Sequence, residues 1–140
     1  MSEVLRRMTV DDIPAALQLS TAAGWNQTDE DWRFLLEGNP GRFVVAVRDG
    51  RVIGSGGAVC YGSALAWVCM ILVDPDQRGH GIGTRIVEGV LDRLTDIAAC
   101  AGARNLEGPG WEDETYYAAF FEDPCGNRLE LCHRTAPVKL

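Results

Sequence analysis

The stretch from Ala64 to Leu94 limits the fold more than any other. It opens with "ALAWVCMILV", ten residues without a charge. It passes into "DPDQRGHGIG", where Gly79, Gly81 and Gly83 fall within five positions. It ends with Ile82, Ile86, Val87, Val90, Leu91 and Leu94 at helical spacing. The uncharged run predicts a central strand buried on both faces. The recurrence at three and four residues predicts an amphipathic helix. A bare loop between them leaves the first N–H groups of the helix uncovered, beside the partial positive charge of its end. Glycine also lets a ligand approach the backbone closely. Such a junction suits an anion, above all a pyrophosphate, and Arg78 adds a charge just ahead of it.

Two better-known phosphate loops do not fit. The spacing lacks the GxxxxGK that a Walker loop needs before Ser or Thr. The runs upstream form hairpins rather than the βαβ unit of a dinucleotide fold. "EVLRRMT" reads as a first strand. Thr9 with Asp12, and Thr28 with Asp31, have the spacing of capping boxes. They predict one helix carrying Ile13, Leu17 and Leu19 to about Ala23, and a second over "DWRFLLEG", stopped at Gly38. Asp49-Gly50 between two β-rich runs predicts a hairpin. After Ala99 the period is lost, and "CAGARNLEGPGWEDE" reads as a linker over 99–114. "TYYAAFFED", "PCGN" and "RLELCHR" predict a hairpin over 115–134, with 135–140 a loose tail.

With 140 residues the chain is expected to be one domain. Its net charge of −7 and pI near 4.7 repel phosphate backbones and anionic lipid, which argues against nucleic acid and membrane as partners and favours an amine. There is no apolar run of about 18 residues, and "MSEVLRRMTV" lacks the apolar core of a secretory signal. Cys60, Cys69, Cys100, Cys125 and Cys132 are irregularly spaced without a CxxC. They read as small core residues in a reduced, cytoplasmic protein.

"ILVDPDQRGHGIGT" resembles the acyl-CoA-binding motif of the GNAT-type N-acetyltransferases, Q/R-x-x-G-x-G/A, over Arg78 to Gly83. The resemblance extends over about residues 4–98. It implies an α/β (α+β) fold: a mixed, mostly antiparallel sheet flanked by helices, with a splayed central strand, closed here by the C-terminal hairpin. It implies acetyl-CoA as co-substrate and acetyl transfer to a primary amine of a small molecule or protein. The backbone of Ile71, Leu72 and Val73 would pair with the pantetheine arm, and one N–H there would polarise the thioester carbonyl. Gly79, His80, Gly81, Ile82, Gly83 and Thr84 would cradle the pyrophosphate with Arg78, His80 facing solvent or phosphate. "AAGWNQTDEDWRFLL" resembles an acceptor-side segment of one subgroup, so Trp25, Asn26 and Trp32 would wall a pocket or fill the core.

No general base or thiolate acid stands out. Asp74 and Asp76 are expected to be exposed, and Asp29, Glu30 and Asp31 to cap a helix. Tyr116 and Tyr117 are candidates for the acid, with packing on a sheet face the simpler role. Residues 100–134 resemble the end of a vicinal-oxygen-chelate domain of the glyoxalase and bleomycin-resistance type, with Glu130 where metal-binding members place a ligand. One carboxylate does not make a divalent site, and Cys125, Cys132 and His133 do not complete it, so no metal is expected. Three readings follow: an N-acyltransferase; an inactive hybrid that at most binds CoA, with a homodimer hiding an open sheet edge; or a chelate-type metal-dependent lyase or resistance protein.

Overall fold

The computed structural model describes residues 2–61, 65–100, 104–113, 116–122 and 128–134. The order is β1 (Glu3–Arg7), a 3-10 turn (Val10–Asp12), α1 (Ile13–Ala22), α2 (Asp29–Gly38), β2 (Phe43–Arg48), β3 (Arg51–Tyr61) and β4 (Leu65–Val73). A second 3-10 turn (Pro75–Gln77), α3 (Ile82–Cys100), β5 (Arg104–Asp113), β6 (Tyr116–Glu122) and β7 (Arg128–Arg134) follow. Two compact units divide the chain between Val90 and Leu91, within α3.

The first unit is an antiparallel sheet in the order β1-β2-β3-β4. Both capping boxes form, at Thr9–Asp12 and at Thr28–Asp31. The β2–β3 turn places Asp49 at φ 52° and Gly50 at φ 76°, the paired positive values that a two-residue hairpin needs. On one face, Met8, Ile13, Ala16, Leu19, Trp32 and Leu36 pack with Phe43, Val45, Met70 and Leu72. On the other face α3 lies directly on strand backbone. A Cβ at Gly54 or Gly56 would fall 2.7 or 2.4 Å from the Ile86 side chain. The six periodic residues of α3 named above are all buried, each burial contributing about 1.5–3 kcal/mol.

β4 departs from expectation. It is the last strand of its sheet, not a central one, and Trp67 is 63% exposed. The apolar run has two causes. Met70 and Leu72 belong to the α1–α2 core, and Ile71 and Val73 approach Gly56 and Gly83 on the α3 side. Toward the start of the strand Ala66, Val68 and Cys69 are only half-buried. β4 also bends. Ser55 pairs with Leu72 and Gly57 with Cys69, so Met70 and Ile71 together oppose Gly56. Met70 takes φ 57°. The strand pattern gave no sign of this bulge.

The second unit contains the antiparallel sheet β5-β6-β7. Here the expected linker is corrected: α3 continues to Cys100, and Arg104–Asp113 is strand. The breakers bend β5 instead of ending it. Its register shifts between Arg104/Glu107, Glu107/Gly110 and Trp111/Asp113, with Asn105 at φ 50° and Gly108 at φ 80°. β6 and β7 pair without a shift from Tyr116↔Arg134 to Glu122↔Arg128. The "PCGN" turn with Cys125, the tail 135–140, and the side chains of Cys100, Tyr116, Glu130, Cys132 and His133 lie outside the described residues.

Candidate functional site

The end of β4 and the start of α3 form one continuous backbone surface. The Asp74 N–H donates to the Ile53 carbonyl at 2.9 Å. Ladder alternation then turns Leu72 toward β3 and points the polar groups of Val73 and Ile71 to the side of β4 away from β3. Leu72 is buried in the core. Of the three strand residues singled out by the sequence, two therefore turn their backbone groups away from β3 and one turns them toward it.

The loop continues from that edge. Arg78 folds back, its Nε donating to the Val73 carbonyl at 3.2 Å. Gly79 and Gly81 take φ 81° and 73°, values that side-chain-bearing residues adopt only at a cost. The first bond inside α3 runs from the Arg85 N–H to the Gly81 carbonyl at 3.1 Å. The N–H groups of Ile82, Gly83 and Thr84 are thus left aimed out of the helix end. Gly83 differs from its neighbours. It has no positive φ, and a Cβ there would make ordinary contact with Val73 at 3.7 Å. His80 is exposed, its Nδ1 lying 3.2 Å from the Gln77 carbonyl.

A charged clamp that no local sequence pattern announces holds this loop. Arg85 donates from Nε and Nη2 to Glu3 at 3.0 and 2.8 Å, and from Nη1 to the His80 carbonyl at 3.0 Å. Arg48 donates to the Gln77 side chain at 2.6 Å and to Glu3 at 3.4 Å. Glu3 on β1 therefore organises two guanidiniums that grip the loop from either end. The Arg85 hydrogen bond, then the Arg85 and Arg48 charges, hold its carboxyl below the usual carboxylate value against the opposing effect of burial. The partners lie up to 82 positions apart in the chain, and no local pattern signals such a contact.

The candidate acids and bases are committed elsewhere. Asp74, expected to be exposed, is 5% exposed. It accepts from Arg51 and from the Asp76 N–H, fastening the 3-10 turn. Asp76 and Glu30 are exposed. Asp31 accepts from Thr28 and Asp29 pairs with Arg33. Trp32 is wholly buried with its Nε1 on the Ser20 hydroxyl, hence core, whereas Trp25 is 43% exposed and Asn26 is exposed. Burial pushes the Cys69 thiol pKa up, the wrong direction for a nucleophile. Tyr117 is buried, packs edge-on against Trp111 at 5.3 Å, and its hydroxyl donates to Asp92 at 2.8 Å. A groove of about 550 Å³ between α1 and the β2–β3 turn is charged, yet its Arg6–Asp12 and Arg51–Asp74 pairs satisfy one another. Among the described residues no three His, Cys, Asp or Glu side chains gather as a metal site, and no helix is long and apolar enough to cross a membrane.

A profile of the acetyltransferase (GNAT) family matches residues 10–126, running past α3 through β5 and β6. The amino-acid acetyltransferase of Mycobacterium tuberculosis (strain ATCC 25618 / H37Rv) is 33% identical over 105 residues, covering 67% of this chain and 56% of that protein. The chain thus spans little more than half the length of that relative. Ard1 from Thermoplasma volcanium superposes with a TM-score of 0.65 at 20% identity, over 69% of this chain and 66% of that one. Rv2747 from Mycobacterium tuberculosis, in complex with CoA and NLQ, superposes with a TM-score of 0.57 at 26% identity, over 79% and 77% of the two chains. The α/β fold with an antiparallel sheet flanked by helices is what these structures share with it.

Proposed function

The chain belongs to the acetyltransferase (GNAT) family, and from that premise we propose that it transfers the acetyl group of acetyl-CoA to a primary amine. The acceptor would be a small molecule or a protein, and amino acids are the first to test because one relative is an amino-acid acetyltransferase. The amine nitrogen attacks the thioester carbonyl, the carbon–sulfur bond breaks, and the CoA thiolate leaves and takes up a proton. One observation carries the reading. The outward backbone of Ile71 and Val73 runs straight into a loop with positive φ at Gly79 and Gly81 and the open N-terminus of α3. In this reading Ile71 and Val73 pair with the pantetheine arm. Arg78, Gly79, His80, Gly81, Ile82, Gly83 and Thr84 surround the pyrophosphate, with Leu72 anchoring the strand between the two outward residues.

The commitment of Tyr117 to Asp92 supports a second reading, in which the chain binds CoA without turning it over. The hairpin 115–134, whose sequence resembles the end of a vicinal-oxygen-chelate domain, we read as closing strands and not as a metal site. The reading keeps 1–98 as the CoA-binding portion of a cytoplasmic protein that needs neither nucleic acid nor membrane, with a homodimer formed through the free edge of β4.

Thermal unfolding with and without acetyl-CoA, followed by thiol release with a panel of amino acids and amines, tests this. At 100 times its dissociation constant the ligand should stabilise the fold by about 2.7 kcal/mol, a rise in Tm on the order of 5–10 °C. A rise with thiol release supports transfer, a rise without release supports the binding-only reading, and no rise removes both.

A further inference from the structure

We infer that Ser55 is the positioning residue that aims the Ile71 N–H at the thioester, an inference that rests on the acetyl transfer proposed above. Met70 carries a large side chain at φ 57°, where a residue other than glycine is strained. It occupies a bulge in which it and Ile71 oppose Gly56 alone, so the regular ladder is interrupted there. Met70 is 8% exposed, and a buried carbonyl needs a partner. One such partner is a side chain: the Ser55 hydroxyl donates to the Met70 carbonyl at 2.9 Å. Ser55 is itself fully buried, on the face it shares with its ladder neighbour Val45.

The Met70 carbonyl and the Ile71 N–H belong to one planar trans peptide. Fixing the carbonyl toward Ser55 on β3 therefore points the N–H the opposite way, to the side of β4 away from β3. A single hydroxyl thus holds the plane of this peptide, and with it the direction of the donor, beside a residue at positive φ. Donor direction matters because an oxyanion donor acts only when it is aimed before the reaction begins.

The test uses the full chain with three variants. Ser55→Ala and Ser55→Cys remove or weaken the donor, the second with little change in volume, and Ser55→Thr keeps it. The first readout is the Met70 Cα chemical shift with the Met70 and Ile71 HN–Hα couplings, which report Met70 φ and ψ and the Ile71 φ without any need for activity. The second is kcat for thiol release against the dissociation constant of acetyl-CoA. Ala and Cys are expected to move the Met70 signals toward extended-strand values. They should cut kcat by about tenfold or more while the dissociation constant changes far less. Thr is expected to keep the wild-type signals and most of kcat. Unchanged Met70 signals in both Ala and Cys overturn the role of Ser55, and so does an equal change in Thr, which would make the site one of packing alone. If the wild type releases no thiol but its Met70 signals respond as described, the acetyl-transfer reading fails and the hold of Ser55 on the bulge stands.

Discussion

Gly81 and Gly83 lie two residues apart and make different demands. Gly81 sits at φ 73°, where an added Cβ would also meet the Arg85 Nη1 at 3.1 Å. The guanidinium can move, but the backbone cannot relax without leaving the left-handed region, at a cost of about 1–2 kcal/mol. Gly83 lies inside the first turn of α3 with ordinary contact room at 3.7 Å. Gly81→Ala is therefore expected to raise the dissociation constant of acetyl-CoA by roughly tenfold, the ratio that about 1.4 kcal/mol produces. Gly83→Ala should raise Tm, since Ala exceeds Gly in a helix by about 0.5–1 kcal/mol. Calorimetric titration and thermal unfolding of both variants read the two effects separately. Wild-type affinity in Gly81→Ala would take the loop out of the binding site. The glycine cluster was legible in the sequence as a bare loop before a helix, and the positive φ of Gly79 and Gly81 agrees with that. That only Gly79 and Gly81 need their conformation was not legible, because letters carry no φ.

Elements were legible where their signals were local. Both capping boxes and the Asp49-Gly50 turn depend on residues within four positions of one another. β5 was missed because Asn105 and Gly108 read as breakers, while the ladder to β6 absorbs them as register shifts. The clamp on the glycine loop was invisible for a related reason: Glu3 reaches it through Arg85 and Arg48, from α3 and from β2. Its chemistry predicts a pH dependence. Glu3 and Asp12 are both held below their ordinary values of 4.5 and 3.8, first of all by hydrogen bonds from Arg85 and Arg6. A depressed folded-state pKa contributes stability above the unfolded value, and that contribution is lost as pH falls through the folded one. Tm should hold nearly level from pH 7 to about 5 and fall below about pH 4. Glu3→Gln should shallow that fall and, by loosening both guanidiniums, weaken acetyl-CoA binding several-fold at pH 7. A Glu3→Gln protein with unchanged acid slope and affinity would mean that the clamp is surface decoration, as many exposed ion pairs are.

At the scale of the whole molecule, charge and sheet edge work against each other. Composition made the first legible, since a charge of −7 follows from counting. It hid the second, because an uncharged run reads alike whether it is central or at an edge. β4 presents nine residues, Leu65–Val73, without charge or proline, at the end of its sheet and with Trp67 63% exposed. Such an edge is a template for pairing with another chain. At pH 7 mutual repulsion between acidic molecules opposes pairing, and near the pI of about 4.7 that repulsion vanishes. Self-association should accordingly increase as pH approaches 4.7, by ordered pairing at low concentration and by precipitation at high. Trp67→Lys puts a charge on the edge, the usual means by which natural sheets discourage it. The variant should show less association than wild type in sedimentation measurements at both pH values, with its Tm within a few degrees because the side chain it replaces is largely in solvent. If wild type and Trp67→Lys associate equally, the contact between copies lies elsewhere, and the homodimer proposed through β4 loses its basis. If wild type is dimeric at pH 7 and Trp67→Lys monomeric, the edge is the interface. Acetyl-CoA should then compete with the dimer, because pantetheine and a second copy would seek the same outward groups of Ile71 and Val73.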